Sequence, residues 1–212
     1  MCYTGGMKLI AQVQLLPNDE QASYLLQTLE IANAACNAIS DYAWEQQRFG
    51  QYPLHTALYY GIREQFGLAA QVAVRCLSKV ADAYKKDKQT KRVFKPHSAI
   101  AYDDRILNWR LPSKTVSICT VGGRLNIPFV CGERQWERLQ SQQGESDLAY
   151  VRGKFYLFAT CVVDEPDERD IEVVLGVDLG IVNIATDSDG ESYSGRAVNH
   201  VRHRHRRLRR KL

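Results

Sequence analysis

Val173-Val174-Leu175-Gly176-Val177-Asp178-Leu179-Gly180-Ile181-Val182-Asn183-Ile184-Ala185-Thr186 is a short apolar run broken by an acid and a glycine. A continuous run of branched residues is the pattern of a strand buried on both faces. A carboxylate at the tip of such a strand sits on a rigid element, as a metal ligand should. The plainer alternative for Asp178 is a strand-end turn residue ahead of Gly180. The chain runs on for 34 residues past Asp178, into an arginine-rich segment that reads as the start of a helix. One acid of a catalytic set is therefore expected here, with its partner acids outside the chain.

The residues around this run extend the reading. Three short strands are expected, over 171–178, 183–187 and 191–193, with Asp189-Gly190 as the turn between the last two. Asp187 and Asp189 read as turn acids beside Gly190 rather than as ligands. A basic helix opens at Arg196 or Asn199 and carries Arg202, Arg204, Arg206, Arg207, Arg209, Arg210 and Lys211, with no acid after Glu191. The formal net charge of the whole chain is +4, so without these seven cations the remainder is net acidic. Like charges packed this closely repel unless something neutralises them, which points to a polyanion. His203 and His205 are two apart and do not share a helix face, so counter-ion chemistry with nucleic acid is favoured there over a metal site.

Upstream, Asp164-Glu165-Pro166-Asp167-Glu168-Arg169-Asp170 is an acidic linker, and residues 164–170 mark a domain boundary. Before it the pattern is that of strands. Thr115–Val121, Gly122-Gly123 and Arg124–Val130 form one hairpin signal; Tyr150-Val151, Arg152-Gly153 and Lys154–Val163 form another. A short helix is expected over 135–143. At the N-terminal end, Lys8–Leu16 reads as a strand stopped by Pro17. Asn18 with Gln21 forms a capping-box signature. Leu25, Leu29, Ala32, Cys36, Ile39 and Ala43 then step along one face of a long helix that ends by Phe49-Gly50. Leu54, Leu58, Ile62 and Phe66 mark a second helix closed by Gly67; Ala69, Ala73, Cys76, Val80 and Ala83 mark a third. The third fades into a basic stretch of Lys85, Lys86, Lys88, Lys91, Arg92 and Lys95, opposed only by Asp87. That stretch is either a polyanion site or a solvated helix face.

The fold class expected is α+β: an antiparallel barrel from residues 1–16 and 91–165, a helical bundle from 17–90 inserted into it, and a further unit over 171–212. The composition, 45% hydrophobic and 25% charged, is that of a globular protein. No apolar run approaches the roughly 18 residues of a membrane span, and no signal peptide opens the chain. A cytoplasmic protein without a membrane partner is expected, whose six cysteines, Cys2, Cys36, Cys76, Cys119, Cys131 and Cys161, are reduced and mostly buried. No Cys-x-x-Cys occurs, which argues against zinc. Tyr59, Tyr60, Trp109 and Trp136 are residue types that stack on bases, but at these positions they read as core or rim packing.

The residues carry a family resemblance. The chain resembles the TnpB, or insertion-sequence OrfB, proteins, transposon-encoded RNA-guided nucleases related to type V CRISPR effectors. Met7-Lys8-Leu9-Ile10 through Leu16-Pro17-Asn18-Asp19-Glu20-Gln21 is similar to that family's opening strand, turn and first helix. Leu175-Gly176-Val177-Asp178-Leu179-Gly180-Ile181 is similar to its first RuvC motif, and the Asp189-Gly190 hairpin and arginine-rich helix follow in the family's order. The match covers the family's N-terminal half. It implies a wedge-type barrel with inserted recognition helices, then the first hairpin of an RNase H-like nuclease domain. It implies guide RNA and target DNA as partners, and Asp178 as a catalytic carboxylate and metal ligand. Magnesium is implied only for a complete site, with the missing glutamate and second aspartate supplied by a complementary C-terminal half; the chain alone is expected to bind no metal and to be inactive. A nucleic-acid-binding module that does not cut is the alternative. An actin-like or heat-shock-type ATPase fragment is disfavoured, because those proteins carry Gly-x-Asp-x-Gly near the N-terminus, usually with Thr where Ile181 stands.

Overall fold

The strand Met7–Leu15 (β1) buries Ala11, Val13 and Leu15 on one side and leaves Ile10 in solvent, the two-residue period of a half-buried strand. The computed structural model describes residues 6–164 and 174–210. The chain divides into two compact units, Met1–Glu165 and Pro166–Leu212. Most of the acidic linker, the first residues of the strand expected over 171–178, Cys2 and Lys211 lie outside the described residues.

Helix α1 (Asp19–Glu45) starts where the capping box puts it. Asn18 Oδ1 accepts from the Gln21 amide at 2.8 Å, and the Asn18 amide donates back to Gln21 Oε1 at 3.1 Å. All six apolar positions of the expected stripe, from Leu25 to Ala43, are buried. Helix α2 (Gln51–Phe66) ends on Gly67, whose φ of +62° is a left-handed cap that favours glycine. Helix α3 (Ala70–Lys86) buries Val72, Ala73, Cys76, Leu77, Val80, Ala81 and Tyr84.

The path back from α3 is held by polar side chains of α1, which the sequence reading did not anticipate. Ser40 Oγ donates to the Arg92 carbonyl at 2.6 Å. Asn37 bonds the Phe94 backbone in both directions, at 2.9 and 2.8 Å. Asn33, with no exposed surface, donates to the carbonyls of Pro96 (2.9 Å) and Ser98 (2.8 Å). Residues one helical turn apart on α1 thus take alternate residues of an extended segment, so that its backbone polar groups are satisfied without a sheet.

That segment delivers β2 (Ile100–Tyr102) to a seven-stranded antiparallel sheet with β3 (Leu107–Arg110), β4 (Thr115–Thr120), β5 (Gly123–Val130), β6 (Gln142–Val151) and β7 (Lys154–Val163), in the order β2-β6-β7-β1-β5-β4-β3. Strand β1 is central. It pairs with β7 from Met7↔Val163 to Gln14↔Tyr156, and with β5 at Gln14↔Val130 and Leu15↔Phe129. The sheet curls into a nearly closed barrel. Its two edges are bridged by side chains: Tyr102 Oη donates to the Cys119 carbonyl at 3.1 Å, and Trp109 Nε1 to Ser146 Oγ at 3.4 Å. On β7, Phe155, Leu157, Ala159 and Cys161 alternate into the core.

Both expected hairpins form. The helix expected over 135–143 is shorter and earlier, α4 (Glu133–Leu139), because β6 begins at Gln142. The run Gln142-Gln143-Gly144-Glu145 has no strand signature; Gly144 at φ +89° makes a bulge, and pairing with β7 draws the segment into the sheet. Strands β2 and β3, three and four residues long, are too short to carry a readable alternation.

Bundle and barrel interlock at the β4–β5 turn. The Val121 amide donates to Thr28 Oγ1 at 3.0 Å, and Gln21 Nε2 to the Asn126 carbonyl at 3.1 Å. A Cβ on Gly122 would clash with the ring carbons of Tyr24, so this position needs glycine for close approach. Among the described residues, no helix is long and apolar enough to cross a membrane.

The second unit has a three-stranded antiparallel ribbon, β8 (Val177–Asp178), β9 (Asn183–Asp187) and β10 (Ser192–Ser194), in the order β10-β9-β8, followed by α5 (Arg196–Arg209). The turn at Asp189-Gly190 forms as read, with Gly190 at φ +90°.

Candidate functional site

Asp178 is the last residue of β8, two before a tight turn in which the Gly180 amide faces the Ile184 carbonyl at 3.4 Å. Its backbone is paired with Thr186, and Thr186 with Ser192. Residues opposite one another in an antiparallel pair project to the same face. Asp178, Thr186 and Ser192 therefore form a polar row across the ribbon, in which the Thr186 and Ser192 hydroxyls are 3.2 Å apart. Asp178 is exposed, and its carboxylate enters no ion pair among the described residues.

The neighbouring acids do not join it. Asp187 pairs with Val177, so it projects from the opposite face of the ribbon. Its Oδ1 accepts from the amides of Asp189 (3.1 Å) and Glu191 (2.8 Å), the bonding of a turn acid. Glu191 accepts from the Tyr193 hydroxyl at 2.8 Å, and this bond raises the tyrosine's pKa. Among the described residues, no three His, Cys, Asp or Glu side chains come together as a metal site. Asp178 supplies one carboxylate, and a two-ion centre needs several. Among the described residues, those around Asp178 do not fit a magnesium site by themselves.

The arginine segment is helical. Gly195 seats its start: the Gly195 amide donates to the Val182 carbonyl at 3.0 Å, and Asn199 Nδ2 to the Ile181 carbonyl at 3.2 Å. A Cβ at Gly195 would meet the Val182 carbonyl at 2.9 Å. Arg202, Arg206 and Arg209 follow at steps of four and three, with Arg210 adjoining, so four guanidinium groups line one face. Arg204 and Arg207 widen the charge, and Arg196, not singled out from the sequence, adds a cation in the first turn. No residue of α5 is buried, and none of its arginines is ion-paired among the described residues. The cationic last turn suits the negative end of the helix dipole.

The middle basic stretch is less uniform than its sequence. Arg92 Nη2 pairs with Asp87 at 2.6 Å, and the same guanidinium donates to the Asp87 carbonyl, closing the loop after α3. Lys91 pairs with Asp41 at 2.8 Å, and the hydrogen bond to Asp41 raises its pKa. Lys85 pairs with Asp82 at 2.7 Å. Asp87 titrates below the usual carboxylate range, chiefly because the Gln89 amide donates to it. Lys86, Lys88 and Lys95 are exposed and enter no ion pair among the described residues. Spacing along the chain does not tell a loop clasp from a ligand contact; the acid Asp41 lies far away in sequence.

The aromatic candidates separate too. Trp109 stands edge-on to Phe129 with ring centres 5.3 Å apart, Trp136 packs on the core under Lys114, and Tyr59 is partly buried. Tyr60 is 79% exposed, which overturns its reading as packing.

No known protein-family profile matches the chain, and no curated protein matches it in sequence.

Proposed function

We propose that this chain is the N-terminal part of a TnpB/OrfB-type, transposon-encoded, RNA-guided DNA endonuclease. In this reading it binds guide RNA and target DNA and contributes Asp178 as the first carboxylate of a RuvC-type site. The barrel is the wedge, α1–α3 are the recognition helices, and the ribbon is the opening of the RNase H-like domain. The observation that carries the reading is the occurrence, in one unit, of an exposed strand-end carboxylate followed along the chain by an arginine helix with no buried residue, both coming later in the sequence than a barrel with a helical insertion. Support also comes from the surface of the second unit, where Leu179, Ile181 and Val182 lie open to solvent. Side chains of this kind are usually covered by another layer.

A complete site would hold magnesium, which activates water and stabilises the leaving oxygen in phosphodiester hydrolysis. This chain's own part is narrower. Asp178 offers one carboxyl side chain at the end of β8 on the ribbon, and α5 holds phosphates by charge. The further acids would come from a complementary C-terminal half. The second reading, binding without cleavage, draws on the same lone carboxylate.

The test is a binding and cleavage comparison of the full chain with Asp178→Ala. Both proteins should bind RNA and RNA–DNA hybrid equally well, because base pairing and backbone contacts supply the affinity. Neither should cut alone. With a polypeptide that restores cleavage, only the parent should cut. A parent that binds no nucleic acid refutes the reading, and magnesium-dependent cutting by the chain alone refutes the division of the site.

A further inference from the structure

Helix α2 has one flank that the core uses only in part: Tyr59 touches it, and Tyr52 and Tyr60 do not. Leu54 and Ile62 are its only buried residues, with Leu58 partly buried between them. Beside that stripe run two rows at four-residue spacing. The first is His55, Tyr59 and Arg63. The His55 and Tyr59 rings are stacked, with centres 4.7 Å apart and planes 17° from parallel. The Arg63 guanidinium lies 5.4 Å from the Tyr59 ring centre, and its Nη1 donates to the Tyr59 hydroxyl at 3.4 Å. The second row is Tyr52, Thr56 and Tyr60, in which the two tyrosines are 82% and 79% exposed. The Tyr60 ring meets the Tyr59 ring edge-on at 5.1 Å.

The first row contains no carboxylate; the second runs on by one turn to Glu64, the one acid of α2, which lies beyond Tyr60 at the C-terminal end of the row. An ordered π column with a cation at one end, flanked by two outward phenols, offers flat faces to flat ligands and charge to an anion. The two tyrosines lie about 12 Å apart along the helix axis, a length that passes three to four nucleotides at about 3.4 Å each. We infer that this flank of α2 is a stacking platform for unpaired bases of single-stranded nucleic acid. Tyr52 and Tyr60 take the bases, and Arg63 stands beside the strand's phosphates. A duplex does not fit, because its base faces are already covered by their neighbours. The inference rests on the nucleic-acid reading above and adds the form of strand recognised and the residues that recognise it.

The experiment is fluorescence anisotropy of the full chain with a labelled oligothymidine of about 15 nucleotides, within the span such grooves cover. Salt is raised until the contribution of the arginine helix is small. Tyr52→Ala and Tyr60→Ala should each weaken binding on the order of tenfold, as loss of one stacked base does. Tyr52→Phe and Tyr60→Phe should bind like the parent, because the ring remains. An abasic strand of equal length should bind the parent and the alanine variants alike, and a blunt duplex should show no effect of either substitution. Both tyrosines are exposed, so the variants should keep the parent's melting temperature. Unchanged oligothymidine affinity in the alanine variants overturns the platform and leaves the wider reading standing. Equal loss on the abasic strand does the same. A parent that binds neither strand nor duplex overturns both.

Discussion

Replacing Arg202, Arg206, Arg209 and Arg210 with Gln removes the four cations that share one face of α5 while keeping residues of good helix propensity. Each phosphate neutralised releases counterions, and log affinity falls with log salt by about 0.9 per duplex phosphate or about 0.7 per single-strand phosphate. Four contacts therefore account for a slope of about −3 to −4. Between 50 and 200 mM salt that slope is worth on the order of a hundredfold in affinity. The assay is a titration of labelled RNA and DNA at several salt concentrations, parent against fourfold variant. The variant should bind more weakly at low salt on every sequence and flatten the slope by about three to four units. Sequence preference should not move, because phosphates carry no sequence information. The same slope in both proteins would refute the reasoning. So would a uniform loss of affinity at unchanged slope, which would mean that the arginines act through packing rather than charge.

Asn33→Ala should destabilise the first unit by about 2 kcal/mol in urea unfolding, since it strips the part-buried carbonyls of Pro96 and Ser98 of a donor and Lys79 of its Oδ1 acceptor; a change below about 0.5 kcal/mol would deny the asparagine its clasping role. Gly122→Val should destabilise through the clash with Tyr24, and Gly122→Val with Tyr24→Ala should recover part of the loss, a coupling that a double-mutant cycle reads directly. Burial depresses the Lys79 pKa below its ordinary 10.5, so the unfolded chain holds that proton more tightly than the folded one. The lysine's contribution to stability should therefore rise as pH climbs through the depressed pKa toward 10.5. The stability difference between parent and Lys79→Met should widen in the parent's favour over that window; a pH-independent difference would contradict the depressed pKa. Asp178→Ala should leave the melting curve unchanged, because the carboxylate is exposed and enters no ion pair among the described residues; a marked loss would make Asp178 a structural residue.

Much of the candidate site was readable in one dimension because its signals are local. Asp178 was singled out by the apolar run before it and the glycine after it, and the Asp189-Gly190 turn by a dipeptide that tolerates positive φ. The arginine helix was visible as charge without opposition. What lay beyond reach was the partner of each charge. Arg92 and Lys95 look alike in the sequence, yet Arg92 closes the loop after α3 onto Asp87, while Lys95 is exposed. Tyr59 and Tyr60 are adjacent, and the helix turns one inward and the other out.

Elements whose cause is a period or a cap follow from neighbouring residues alone. The Asn18–Gln21 box set the start of α1, four- and three-residue steps set its buried stripe, and alternation with glycine turns set the β4–β5 and β6–β7 hairpins. These are short-range effects, complete within one helical turn or one strand pair. The remaining elements depend on contacts made in the assembled fold. Strand β2 takes its form from hydrogen bonds offered by β6, distant in sequence, and β3 and the first half of β6 from the strands that follow them, β4 and β7. The segment from Arg92 to Ser98 takes its form from Ser40, Asn37 and Asn33 of α1. The backbone groups of these segments must find partners once water is excluded, and which partners are in reach is a property of the assembled fold.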